Sequence, residues 1–153
     1  MKLSDIISRE SIIPDLKARD KAGVLRELAE VICNLEPSLD KDSLVKVLEE
    51  REKLGSTGIG DGVAIPHGKV SGISKPLMSF GRSKQGVDFD SMDAKPVYLF
   101  FLLVAPENSA GAHLKVLAKI AKMLKNSEFR KKLLNAKDRD EIYSIIIQSD
   151  EEL

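Results

Sequence analysis

A chain of 153 residues is long enough for one domain with a sizeable core. Lysine plus arginine equals aspartate plus glutamate, 24 each, so no global positive field points to nucleic acid, and no basic run is interleaved with aromatic residues. The single cysteine, Cys33, excludes an intramolecular disulfide. It lies in a helical pattern among apolar neighbours and reads as a buried or half-buried free thiol, which suits a reducing, cytoplasmic setting. No basic-then-apolar leader opens the chain. The longest apolar run, Val97 to Pro106, is too short to span a bilayer as a helix, so no membrane insertion is expected. Two histidines and one cysteine stand far apart without ligand spacing, so no metal site is expected.

The elements follow in order. Leu3 to Ile7 reads as a short helix or turn, and Ile12 and Ile13 as a strand ending near Leu16. Asp20 opens the first clear helix, whose Leu25, Leu28, Ile32 and Leu35 recur at spacings of three and four; Pro37 closes it. Asp40 caps a second helix with Leu44, Val47, Leu48 and Leu54 facing inward. Arg51 falls in its last turn and Gly55 ends it. Val63 to Ile65 and Leu77 to Gly81 read as strands, with an irregular stretch between them through Val70 and Ile73, and Gly86, Val87 and Phe89 lead into a turn. Val97 to Val104 is the strongest strand signal. It is apolar without alternation apart from the Tyr98 hydroxyl, which predicts a central strand covered on both faces.

A third helix is predicted from Ser109 or Ala110, with His113, Leu117, Ile120 and Leu124 on one stripe. Ser127 reads as the cap of a shorter helix carrying Phe129, Leu133 and Leu134. Asp138 starts a last helix with Ile142, Ile145 and Ile146. Arg130, Lys131 and Lys132 read as a solvated face, and Asp150 to Glu152 as a frayed tail. There is no internal repeat or linker. Strands alternating with helices predict an α/β class, one layered domain over residues 1–153.

The chemistry concentrates between Arg51 and Val70, in REKLGSTGIGDGVAIPHGKV. Gly55, Gly58, Gly60 and Gly62 allow sharp turns and close approach to a ligand. Ser56 and Thr57 add hydroxyls, and Arg51 adds a donor fork that matches a phosphate or carboxylate. His67 follows a short strand and Pro66, a position suited to nucleophilic or proton-transfer chemistry near neutral pH. The run is no dinucleotide fingerprint, because the G-x-G-x-x-G spacing is missing, and no P-loop, because no G-K-[ST] ends it. It does not fit the G-x-S-x-G nucleophile elbow. The residues alone leave alternatives open: His67 as a strand-end histidine held by a carbonyl, Arg51 as an exposed arginine pairing with Glu49 or Glu50, and His113 as a capped histidine at the core's edge.

This stretch, with STGIG-x-G-x-AIPH in order, resembles the active-site signature of the fructose/mannitol-type IIA proteins of the bacterial phosphotransferase system. Within that family it is similar to the stand-alone nitrogen-regulatory IIA proteins. A second block, GVDFDSMDAKPVYLFFLLVAPENSAGAHLKVLAKIAKML, also fits, and the resemblance covers roughly residues 5 to 147. It implies a mixed sheet of about five strands flanked by helices. It implies that His67 is phosphorylated on Nε2, that His113 lies beside it and stabilises the phosphoryl group, and that Arg51 clamps the phosphate.

Ser56, Thr57, Gly58 and Gly60 are expected to line the same pocket. The Nδ1–H of His67 is expected to bond a backbone carbonyl, which leaves Nε2 free to attack. The implied donor is the phosphocarrier HPr or its nitrogen-branch relative. Exchange between two phosphohistidines is near thermoneutral, so no cofactor is called for. Downstream, REKLGSTGIG and AIPHGK look like the regulatory branch, which acts on target proteins. FGRSKQGVDFDSMDAKPVYLFFLLVAPE looks like the fructose branch, which passes the phosphoryl group to a IIB protein. A binding module with an inert histidine is the third reading.

Overall fold

The computed structural model describes residues 1–109 and 111–153. Among them, six strands form one mixed sheet and five α-helices cover it. The strands are β1 (Ile12–Ile13), β2 (Gly58–Gly60), β3 (Val63–Ala64), β4 (His67–Val70), β5 (Leu77–Val87) and β6 (Val97–Pro106). The helices are α1 (Lys21–Leu35), α2 (Lys41–Lys53), α3 (Ala112–Leu124), α4 (Ser127–Asn135) and α5 (Arg139–Glu151). No helix among the described residues is long and apolar enough to cross a membrane.

β6 organises the sheet. β5 pairs along one side of it, antiparallel; β3 and then β4 pair along the other, parallel. β1 continues the sheet beyond β5, and β2 continues it beyond β3. Side chains alternate across a strand, and β6 uses both faces. Leu99, Phe101 and Leu103 join a core with α3, α4 and α5, whereas Phe100, Leu102 and Val104 join a second core with α1 and α2. The unbroken apolar run is the sequence record of this double burial.

Local signals set the helix starts. Asp20, Asp40 and Asp138 each accept a hydrogen bond from the backbone N–H three residues on. Ser127 is not the cap of α4. Asn126 is, accepting from the N–H groups of Glu128 and Phe129. Of the two predicted starts of the third helix, Ala110 lies outside the described residues, and Ser109 lies ahead of the helix, which begins at Ala112 behind Gly111.

Several other expectations are corrected. β5 runs six residues past Gly81, through the buried Arg82 and Ser83, to pair Val87 with Val97. β4 is a regular strand where irregular backbone was expected. Leu54 does not face inward; it is 85% exposed at the end of α2. Leu134 is exposed too, and Arg130 is half-buried, donating to the Leu124 carbonyl. Asp150 is not in a frayed tail. Its buried carboxylate accepts from the Leu3 N–H at 2.7 Å and pairs with Lys119 at 2.9 Å. Cys33 is half-buried, and burial, then the nearby Asp40 charge, push its thiol pKa up.

Candidate active site

His67 opens β4, opposite Leu103 of β6. Parallel partners share a face, so His67 stands on the α3 side of the sheet with Leu103, and so does Lys69 two residues on. Gly68 between them turns to the α2 side. A Cβ built at Gly68 would stand 2.7 Å from a Val47 methyl carbon, so the glycine lets α2 lie directly against β4. That contact brings the C-terminal turn of α2, with Arg51, over the strand's edge. Gly68→Ala is expected to cost about 1–3 kcal/mol by overpacking. Urea denaturation checks this, and an unchanged midpoint would mean that Val47 simply turns aside.

The three elements meet at a cavity of about 380 Å³, lined by Val47, Glu50, Arg51 and Leu54 of α2 and its end, His67, Gly68 and Lys69 of β4, and His113 of α3. Thus the fold brings His67, His113 and Arg51 together from positions far apart in sequence. The Nδ1 of His67 lies 2.9 Å from the Ile65 carbonyl oxygen. A carbonyl only accepts, so Nδ1 carries the proton, and in the neutral ring Nε2 keeps its lone pair. Pro66 between them has its own carbonyl bonded to the Leu103 N–H at 2.9 Å, which fixes the backbone on which the imidazole turns.

His113 sits in the first turn of α3, at the positive end of the helix dipole. Its Nδ1 is 3.5 Å from the Ser109 hydroxyl, the outer limit of a hydrogen bond. Burial lowers its pKa below the usual histidine value, and the charges of Lys69 and His67 lower it further. It is therefore a neutral ring at pH 7, a hydrogen-bond donor without a charge. Arg51 is half-buried, and its Nη1 donates to the Gly55 carbonyl at 2.8 Å.

Ser56, Thr57, Gly58 and Gly60 do not line the cavity. The Ser56 hydroxyl donates to the Phe89 carbonyl at 2.7 Å. Thr57 is buried, and its hydroxyl donates to Glu52. Gly58 backs onto Ser91, and Gly60 onto the Asp93 carboxylate. These residues shape the turn from α2 into the sheet. Lys69 is the cavity residue that motif reading passed over. Its signal was the period of two, which puts i and i+2 of a strand on one face. No cluster of three or more His, Cys, Asp or Glu that could hold a metal occurs among the described residues.

The cavity thus sets a histidine of fixed tautomer beside a second histidine and an arginine, a donor set able to hold an anionic group. The family profile described as "Phosphoenolpyruvate-dependent sugar phosphotransferase system, EIIA 2" matches residues 5–149. A nitrogen regulatory protein of Bradyrhizobium diazoefficiens is 42% identical over 146 residues, 95% of each chain. The fructose-specific EIIABC component of Bacillus subtilis is 35% identical over 150 residues, which are 98% of this chain and 24% of that longer one. The crystal structure of the nitrogen regulatory protein IIA-Ntr from Neisseria meningitidis superposes with a TM-score of 0.88 at 36% identity, covering 94% of this chain and 98% of that one. The chain belongs to the EIIA type-2 family of the phosphoenolpyruvate-dependent phosphotransferase system.

Proposed function

We propose that this protein is a cytoplasmic phosphoryl carrier that takes a phosphoryl group onto Nε2 of His67 from the phosphohistidine of HPr or its nitrogen-branch relative, and that its role is regulatory. Membership of the family implies phosphotransfer between proteins. The observation that carries the finer reading is the Nδ1–H bond to the Ile65 carbonyl, which makes Nε2 the lone-pair nitrogen of the neutral ring. In the step, the Nε2 lone pair forms the new N–P bond while the donor's N–P bond breaks and its electron pair stays on the donor nitrogen. No proton has to leave Nε2. The charge that develops on the ring is shared with the Ile65 carbonyl through Nδ1–H. Arg51 and His113 are the donors for the phosphoryl oxygens, where charge accumulates in transit.

The regulatory role is supported by full-length likeness to nitrogen regulatory proteins. Likeness to a fructose-specific component keeps a second reading in play, in which a IIB partner receives the group. The test is incubation with phosphoenolpyruvate, Enzyme I and either phosphocarrier, with NMR locating the phosphoryl group. An acid-labile, base-stable label on Nε2 of His67 that persists when a fructose-type IIB protein is added is the expected result. Passage of the label to IIB would favour the transport reading. No label from either donor would overturn the carrier reading and favour an inert binding module.

A further inference from the structure

Arg51 and Glu52 are neighbours on the last turn of α2, and their side chains go different ways. Arg51 borders the cavity with His67. Glu52 is 9% exposed, and its carboxylate collects three donors. The Thr57 N–H and the Lys21 ammonium reach Oε1 at 3.1 Å each, and the Thr57 hydroxyl reaches Oε2. Lys21 comes from the start of α1, so the carboxylate ties α1, α2 and the loop after α2 together. A buried carboxylate is costly unless donors surround it, and here two of the three belong to one loop residue.

Gly55 lies between the two anchors. Its N–H donates to the Glu52 carbonyl at 3.1 Å, and its own carbonyl holds Nη1 of Arg51. Its φ is +143°, and nothing lies within 4 Å of where a Cβ would be. The space beside its Cα is open; the helix end before it, and the Ser56–Phe89 and Thr57–Glu52 contacts after it, hold the loop. We infer that Glu52, acting through Thr57, is a positioning residue for Arg51: it fixes the loop whose Gly55 carbonyl holds one arm of the guanidinium and so sets where the remaining donors stand relative to His67. A free arginine side chain loses rotamer entropy when it is fixed, and a clamp held in advance does not lose it again at each transfer. The consequence for transfer rests on the carrier reading; the geometry does not.

Thr57→Val removes the hydroxyl and keeps the shape, Thr57→Ser restores the hydroxyl, and Glu52→Gln removes the charge. The first readout is the Nε–Hε NMR signal of Arg51 in the free protein. The second is single-turnover transfer from phosphorylated HPr across donor concentrations. Wild type and Thr57→Ser are expected to give the same distinct Arg51 signal. In Thr57→Val and Glu52→Gln it should move to the position of solvent-exposed arginines. In those two variants the maximal rate should fall roughly tenfold or more, with the half-saturating donor concentration unchanged. An unmoved Arg51 signal would overturn the inference, and so would a moved signal with an unchanged maximal rate. If Glu52→Gln does not fold, the two Thr57 variants decide. If the wild type takes up no phosphoryl group, the carrier reading fails, while the Arg51 signal still decides whether Glu52 positions that side chain.

Discussion

His67→Ala is expected to reduce phosphoryl uptake to nothing, because the variant loses the ring nitrogen whose lone pair is set by the Nδ1 bond to the Ile65 carbonyl. The chain has only one other histidine, His113, and it cannot take over. It stands on α3, its contact with Ser109 is long, and among the described residues no backbone carbonyl fixes its tautomer. His113→Ala should leave uptake intact and slow it roughly 10- to 100-fold, the range for removing one donor to a developing charge. His113→Gln should recover part of that rate, since a neutral donor is what the ring supplies at pH 7. Labelling from phosphoenolpyruvate under acid and base treatment separates these cases. Equal labelling of wild type and His67→Ala would move the site to another residue.

Arg82→Ala should be the most destabilising single substitution at a polar residue. Arg82 is 3% exposed and lies on β5 opposite Leu99, on the face that carries α3, α4 and α5. The hydrogen bonds of its guanidinium all go to main-chain carbonyls. Nε donates to Pro14 at 3.0 Å, and Nη1 donates to Leu133 at 2.9 Å and to Ala136 at 2.7 Å, with Leu134 farther off at 3.4 Å. Leu133 and Leu134 are in the last turn of α4, where helical carbonyls lack intrahelical partners and the dipole favours a cation. Arg82 is in effect the cap of that helix, supplied by a strand. Truncation leaves several buried carbonyls unpaired, and the expected loss is about 3 kcal/mol or more. Urea denaturation measures it, and Arg82→Met should recover less than half by refilling the volume. A loss below about 1 kcal/mol would mean that water reaches those carbonyls.

What was legible in the sequence followed from local physics. Asp20, Asp40 and Asp138 cap helices because a short carboxylate reaches an N–H three residues on, whatever lies elsewhere in the fold. β6 was legible because its apolar run has few other uses. What stayed hidden depends on partners remote in sequence. The predicted strand stopped at Gly81, ahead of the polar residues Arg82 to Gln85, and the carbonyls that hold a buried arginine there come from α4, the residue after it, and Pro14. Asp150 looked like tail because its donors are Leu3 and Lys119. At the site, the motif marked the segment but not the directions its side chains take. Thr57 turns inward to Glu52, and Lys69 turns to the cavity through the pairing of β4 with β6.

The shared strand has a consequence for how the molecule comes apart. Stripping either helix layer from β6 would leave Phe100 or Phe101 facing water, so neither half can persist as a folded remnant of the other. The two layers must be lost together, in one cooperative melting event. A void cut beneath α1, on the face away from His113, would then raise the fraction of molecules with a dismantled site as much as an equally costly void beneath α3. The occupancy of the His67 edge is thereby coupled to every part of both cores.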